Sequence, residues 1–87
     1  MRFFFHIVDN GAVQRDPIGR ELSDDEVAIA EARAAARYLI GSYPVGALQE
    51  LQIRVEDMDG GLVATIWCRD ILGFSLATEQ SSRVVVS

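Results

Sequence analysis

The side chains best suited to chemistry in this 87-residue sequence are its one histidine, His6, and its one cysteine, Cys68. They would form a nucleophilic dyad only if the imidazole could accept the thiol proton. His6 alternates with Phe3, Phe5 and Ile7, so on a strand it points away from them. Cys68 is predicted to point inward, toward the helix. We therefore expect the two groups on opposite sheet faces, with Cys68 as a buried structural residue and no catalytic residue in the chain.

The sequence also lacks the residue types that a metal site or a phosphate site needs. One histidine and one cysteine cannot complete a structural zinc site within one chain. The turn Asp57-Met58-Asp59-Gly60 is similar to the start of a calcium loop, but Ile66 stands where the closing glutamate is required. The sequence has no lysine, which a Gly-Lys-Ser/Thr phosphate-binding loop needs. We expect no metal and no cofactor, and we interpret the acidic segment as a hairpin turn.

Composition and charge narrow the class of protein. Apolar residues make up 49% of the chain, and the net charge is -5. A general nucleic-acid or anionic-membrane binder needs a concentrated cationic surface, so these partners are disfavoured. A single cysteine excludes an intrachain disulfide, and no apolar leader or membrane-spanning run is evident. These features predict a globular cytoplasmic protein.

Two hairpins are predicted, one at each end of the chain. Arg2 to Val8 is rich in β-forming residues and is followed by Asn10-Gly11, because a type I′ turn needs positive φ at both central residues. Leu51 to Glu56 alternates apolar and polar residues, which is typical of a half-buried strand. Leu62 to Cys68 is the returning strand, apolar at nearly every position. A strand that is apolar on both faces indicates that both faces are covered.

One helix is predicted between the hairpins, from Asp24 to Ile40. Ser23 is the expected N-cap, with Glu26 reaching back to its amide. Gly41 is the expected left-handed residue that ends the helix. The stripe predicted to face the sheet is made of small residues and one leucine: Ala28, Ala32, Ala35 and Leu39.

The predicted architecture is a single α+β domain with a ββαββ plan and one helix packed on one face of the sheet. This domain covers residues 1–73. Residues 74–87 are expected to be a C-terminal tail, forming a short strand or a helical turn or remaining disordered. Strand order does not follow from the sequence.

The surface predicted to bind a partner lies mainly on the outer face of the sheet. Trp67 points outward by the same parity that turns Ile66 inward, and the helix flank beside its arginines leaves two isoleucines partly exposed. Apolar surface in excess on so small a domain predicts self-association as a homodimer. An unknown protein partner also fits. The candidate interaction residues are Phe4, His6, Arg54, Trp67, Ile29 and Ile40.

Several motifs occur along the chain in a fixed order: Arg2-Phe3-Phe4-Phe5-His6-Ile7-Val8-Asp9, an Asp-Pro-x-Gly turn, Gly19-Arg20-Glu21-Leu22, an alanine-rich helix and Val55-Glu56-Asp57-x-Asp59-Gly60. With these motifs the sequence resembles a family of short bacterial domain-of-unknown-function proteins of rhizobia and related alphaproteobacteria. The resemblance covers residues 2 to 72. It implies a compact ββαββ domain in a bacterial cytoplasm, and it transfers no catalytic residue. The plan is also similar in architecture to antitoxin domains of the HicB type, which dimerise and inhibit a toxin.

The sequence therefore predicts a small cytoplasmic protein-interaction or regulatory module that is homodimeric and performs no catalysis. The alternative is a nucleic-acid-associated or antitoxin-like regulator that uses the outer sheet face. In that alternative Phe4 and Trp67 would stack on bases, with His6 and Arg54 nearby. The charge of -5 disfavours it.

Overall fold

The computed structural model describes residues 1–72 of the chain. Its elements in chain order are strands β1 (Arg2–Asp9), β2 (Ala12–Gln14) and β3 (Arg20–Glu21), helix α1 (Asp25–Ser42), a 3₁₀ helix (Val45–Glu50), and strands β4 (Leu51–Glu56) and β5 (Leu62–Trp67). Residues 68–72 are helical. The predicted α+β plan of hairpin, helix and hairpin is confirmed, with the short strand β3 added. The prediction for the tail, residues 74–87, lies outside the described residues.

The strands form one antiparallel sheet in the order β2-β1-β4-β5. On one side, β1 pairs with β4 along Phe4–Asp9. On its other side, β1 pairs with β2 at one end and with β3 at the other. β1 and β4 are therefore central, and β5 is an edge strand in the part of the chain that the structure describes.

Helix α1 covers one face of this sheet and encloses the core. Phe3, Ile53 and Val55 are at most 2% exposed there. Three helix residues one turn apart, Ala28, Ala32 and Ala36, are fully buried against the strands. Their small side chains allow the helix to lie close to the sheet. The predicted stripe was wrong at one position, since Ala35 is exposed and Ala36 takes its place.

The helix begins and ends at residues other than those predicted. The N-cap is Asp24, whose Oδ1 accepts a hydrogen bond from the Val27 amide at 2.9 Å. Aspartate caps a helix as well as serine does, so local preference did not separate Ser23 from its neighbour. At the other end Gly41 is helical, and α1 ends before Tyr43, which is extended as a residue preceding proline must usually be.

The two hairpin turns form as predicted. Asn10 and Gly11 have φ of 50° and 86°, the positive values that a type I′ turn requires. In the second hairpin Asp57 Oδ1 accepts hydrogen bonds from the amides of Asp59 at 2.9 Å and Gly61 at 2.8 Å. That carboxylate therefore organises a turn.

Candidate interaction surface

The register of the strands defines the face of the sheet opposite α1, which we call the outer face. In the middle row His6 lies opposite Arg54, which lies opposite Thr65. Helix α1 packs on the other face, so this row points away from the core. The outer face is formed by Phe4, His6, Val8, Val13, Gln52, Arg54, Glu56, Thr65 and Trp67.

His6 is only 5% exposed although it lies on the outer face. Its Nδ1 accepts a hydrogen bond from the Asp16 amide at 3.0 Å, which places the ring proton on Nε2. Nε2 lies 3.4 Å from Glu56 Oε1. The Phe4 ring stacks beside the imidazole, with 6.4 Å between centroids and 12° between planes. Because both ring nitrogens have partners, this arrangement holds the imidazole in place and leaves neither nitrogen open to a thiol.

Cys68 lies in the core beneath α1 and is fully buried. Burial raises the pKa of its thiol above the ordinary value. The thiol form is thereby favoured over the nucleophilic thiolate. The structure thus separates Cys68 and His6 onto opposite faces, as their positions in the sequence predicted.

Asp16 holds the loop between β2 and β3 against β1, a role that sequence reasoning missed. Its Oδ2 accepts from the Phe5 amide at 3.2 Å, and its Oδ1 accepts from the amides of Ile18 and Gly19, each at 3.1 Å. Burial raises the pKa of this carboxyl, but the three backbone hydrogen bonds and nearby His6 together lower it below the ordinary value. The Asp-Pro-x-Gly sequence is a signal for the local turn. It carries no signal for the bond to β1.

Trp67 points outward, as its parity predicted, and the Arg69 guanidinium stacks over the ring at 4.3 Å from its centroid. Phe4 and Trp67 occupy opposite corners of the outer face. Phe4 pairs with Glu56 at one end of β4, while Trp67 pairs with Gln52 at the other end and lies one strand farther away. Four residues along a strand and two strand spacings separate them by roughly 16 Å. The two rings therefore do not form one continuous platform.

The two isoleucines of the helix flank are partly exposed, as the sequence predicted. Ile29 and Ile40 are half-buried and pack against the core. The exposed residues beside Ile29 are Glu26, Ala30, Arg33 and Arg37. The assignment of both isoleucines to an interface stays a prediction.

A groove that sequence reasoning did not identify runs between α1 and the edge of β5. Its volume is about 540 Å³. Two arginines of the helix form one wall, and β5 with the start of the following helical segment forms the other. The residues that line it are Arg33, Arg37, Thr65, Ile66, Trp67, Asp70 and Ile71.

Two features, a metal-binding cluster and a membrane-spanning helix, are absent from residues 1–72. Across residues 1–72, no three histidine, cysteine or carboxylate side chains come together as a metal ion would require. No helical segment in this range combines the length and apolar character needed to cross a bilayer.

Comparison with known proteins identifies a family and no further relative. No match was found among curated proteins or among solved structures. The sequence profile of a family described as "Domain of unknown function (DUF6894)" matches residues 2–67. The matched region includes all the strands and the long helix of residues 1–72, and it ends at Trp67. The chain therefore belongs to the DUF6894 family of domains of unknown function.

Proposed function

We propose that this chain is a small protein-interaction module with a regulatory role, and that it self-associates through the outer face. The observation that carries the proposal is the absence of a second layer over this face within residues 1–72. Helix α1 packs on the opposite face, yet Phe4 and Trp67 lie here half-buried and Val13 is 43% exposed. Burying such side chains against a second copy would remove apolar surface from water.

The chemistry of the outer face suits a symmetric dimer. Val13 forms an exposed apolar corner on β2, beside Val8, which is only 4% exposed. Arg54 and Glu56 follow on β4, with opposite charges and the same orientation. In a twofold interface each patch meets its own copy, so Arg54 of one protomer can approach Glu56 of the other. A surface that offers both charges and an apolar corner is complementary to itself.

Light scattering over a dilution series tests self-association directly. We expect a dimer in the wild-type chain and a shift to monomer in Val13→Asp, because the new carboxylate would be buried at the interface. Val45→Asp is the matched control, since Val45 is 64% exposed on the 3₁₀ helix, away from the outer face. A wild-type monomer at every concentration, or equal weakening by both substitutions, would contradict the proposal.

The nucleic-acid alternative has less support than self-association. Phe4 stacks on His6 and Trp67 carries Arg69, so each ring already has a partner within the chain. The rings are also too far apart to hold adjacent bases, and the chain is acidic. Fluorescence anisotropy with labelled single-stranded RNA would favour the alternative if binding were lost in Arg54→Glu.

We further propose that the module acts in the cytoplasm and without catalysis of its own. The buried Cys68 thiol, with its raised pKa, supports a structural role for that residue. His6 accepts a hydrogen bond at Nδ1 and has Glu56 near Nε2, which supports the same interpretation there. Microscopy of the tagged chain in its host would test the location.

A further inference from the structure

The outer edge of β5 presents backbone groups whose direction follows from the register. The Phe5 amide donates to Asp16 on the β2 side of β1, so the neighbouring His6 backbone faces β4. Arg54, opposite His6, then directs its backbone to β1 and away from β5. Thr65, opposite Arg54, must direct its own N–H and C=O away from β4, toward the groove. Trp67 has the same parity, so its N–H also points to this edge, while its C=O begins the helical segment 68–72.

Positive charge lies along the helix side of the same groove. Arg33 and Arg37 are one helical turn apart, and both are exposed. Neither forms an ion pair within residues 1–72. Asp70 supplies a single negative charge among the groove residues. A chain with a net charge of -5 thus has a locally cationic wall beside a strand edge that no strand of residues 1–72 pairs with.

We propose that this groove binds an extended peptide segment of another protein, one that carries a glutamate or aspartate side chain. The segment adds to β5 as a further strand, with hydrogen bonds to the backbone of Thr65 and Trp67. Its carboxylate meets Arg33 and Arg37, which offer charge-assisted hydrogen bonds. Ile71 and Ile66 contribute the apolar part of the contact. This partner and this surface are separate from the self-association proposed for the outer face.

Charge disfavours a second copy as the occupant of the groove. Two copies paired antiparallel through β5 are related by an axis perpendicular to the joined sheet. Both α1 helices then lie on the same side, and Arg33 and Arg37 of one copy approach the same residues of the other. Like charges in that position oppose association, whereas an acidic segment relieves them.

The experiment measures binding of fluorescein-labelled heptapeptides to the full chain by fluorescence polarisation. One pool has valine or threonine at the outer positions and glutamate at the centre, and a second pool has glutamine at the centre. A third pool repeats the first with N-methylated backbone amides, which cannot donate to a strand edge. We expect the glutamate pool to bind about tenfold more tightly than the glutamine pool, and the N-methylated pool to lose binding.

Substitutions in the chain test whether the peptides bind in the groove. Arg37→Glu should weaken binding of the glutamate pool by about tenfold. Arg15→Glu makes the same charge change at an exposed residue beyond β2 and should change that affinity less than about twofold. Thr65→Pro removes a donor that points away from β4 and should abolish binding of both pools. Thr65→Val keeps that donor and should retain binding. The Val13→Asp variant should also retain peptide binding. A failure of the proposed dimerisation would therefore leave the peptide-binding result unchanged.

Three outcomes would overturn the proposal. The first is equal affinity for glutamate and glutamine pools, or no binding of either pool at roughly millimolar concentration. The second is a set of nuclear Overhauser contacts in the free chain between the β5 amides and residues 73–87, which would make the chain's own segment the occupant. The third is a dimer that Thr65→Pro dissociates, which would make a second copy the occupant.

Discussion

The side of β1 that faces away from β4 and the outer side of β5, which we call the closed edge and the open edge of residues 1–72, differ in how their backbone groups are satisfied. Along β1, strand β2 pairs at one end, β3 pairs at the other, and the Asp16 carboxylate accepts the Phe5 amide in the gap between them. Along β5, no strand of residues 1–72 pairs with the outward groups of Thr65 and Trp67. The first is closed by β2, β3 and the Asp16 carboxylate, and the second borders a groove.

The two edges also differ in which residues of the chain lie along them. An open edge strand invites pairing with other chains, so proteins usually cover or interrupt it. Here the loop from Arg15 to Gly19 covers one edge with a side chain that substitutes for a strand. The other edge lies beside Arg33 and Arg37, whose positive charges favour an acidic segment as the pairing partner. We infer that the first edge serves stability and the second serves recognition.

The largest effect on the closed edge should come from Gly19→Ala. Gly19 has φ of 75°, and a Cβ there would lie 2.9 Å from the Phe3 carbonyl oxygen. The left-handed backbone and the clash together should lower the free energy of unfolding by about 3 kcal/mol. Urea denaturation measures this change. Gly41→Ala is the control, since its Cβ would meet nothing within 4 Å and its helical backbone favours alanine.

Asp16→Ala should have the next largest effect, because three amides lose their shared acceptor. We expect a loss of about 2 kcal/mol in the free energy of unfolding, measured by the same denaturation. Amide exchange at Phe5 should also accelerate. Asp59→Ala removes an exposed carboxylate of equal charge and should leave both quantities unchanged. A stable Asp16→Ala variant with a protected Phe5 amide would show that β2 and β3 close this edge without the carboxylate.

Acid should weaken the closed edge by protonating Asp16. The folded pKa of Asp16 lies below its ordinary value of 3.8, because three backbone hydrogen bonds and His6 outweigh the opposing effect of burial. Its contribution to stability is complete above pH 3.8 and is lost as the pH falls further, through the folded pKa. Denaturation at a series of acidic pH values should show this slope, and Asp16→Asn should flatten it. Identical slopes in both proteins would refute the assignment.

The smallest effect should come from the ion pair between Arg20 and Glu31, which joins β3 to α1. Both side chains are largely exposed, so the pair gains little over its hydrated ions. Arg20→Ala should lower the free energy of unfolding by about 0.5 kcal/mol or less. A loss comparable to that of Asp16→Ala would mean that charge pairing, and not the loop, secures β3.

Sequence pattern predicted the parts of the fold that depend on near neighbours. Asn10-Gly11 specified a turn, and the alternation of Leu51 to Glu56 specified which side of β4 is buried. The outward direction of Trp67 followed from strand parity alone. Each of these features depends on residues within one turn or one strand. The family resemblance added the same overall plan and no function, in agreement with the matched profile.

Features that depend on distant residues were not predicted. The bond from Asp16 to Phe5 spans 11 residues and requires the first hairpin to be in place. The groove combines α1 with β5, and about a third of the chain separates Arg37 from Thr65, so their shared position in the groove could not be deduced from spacing. The shift of the N-cap from Ser23 to Asp24 reflects two residues of similar capping strength.

Amide hydrogen exchange of the full chain, followed by nuclear magnetic resonance, tests the contrast between the edges most directly. We predict slow exchange at Phe5, whose amide is bound by Asp16, and fast exchange at Thr65 and Trp67 in the free chain. We further predict that the glutamate peptide pool slows exchange at those two residues and that the glutamine pool does so far less. Slow exchange at Thr65 and Trp67 without any peptide would refute the assignment of this edge to recognition, because the edge would already be occupied.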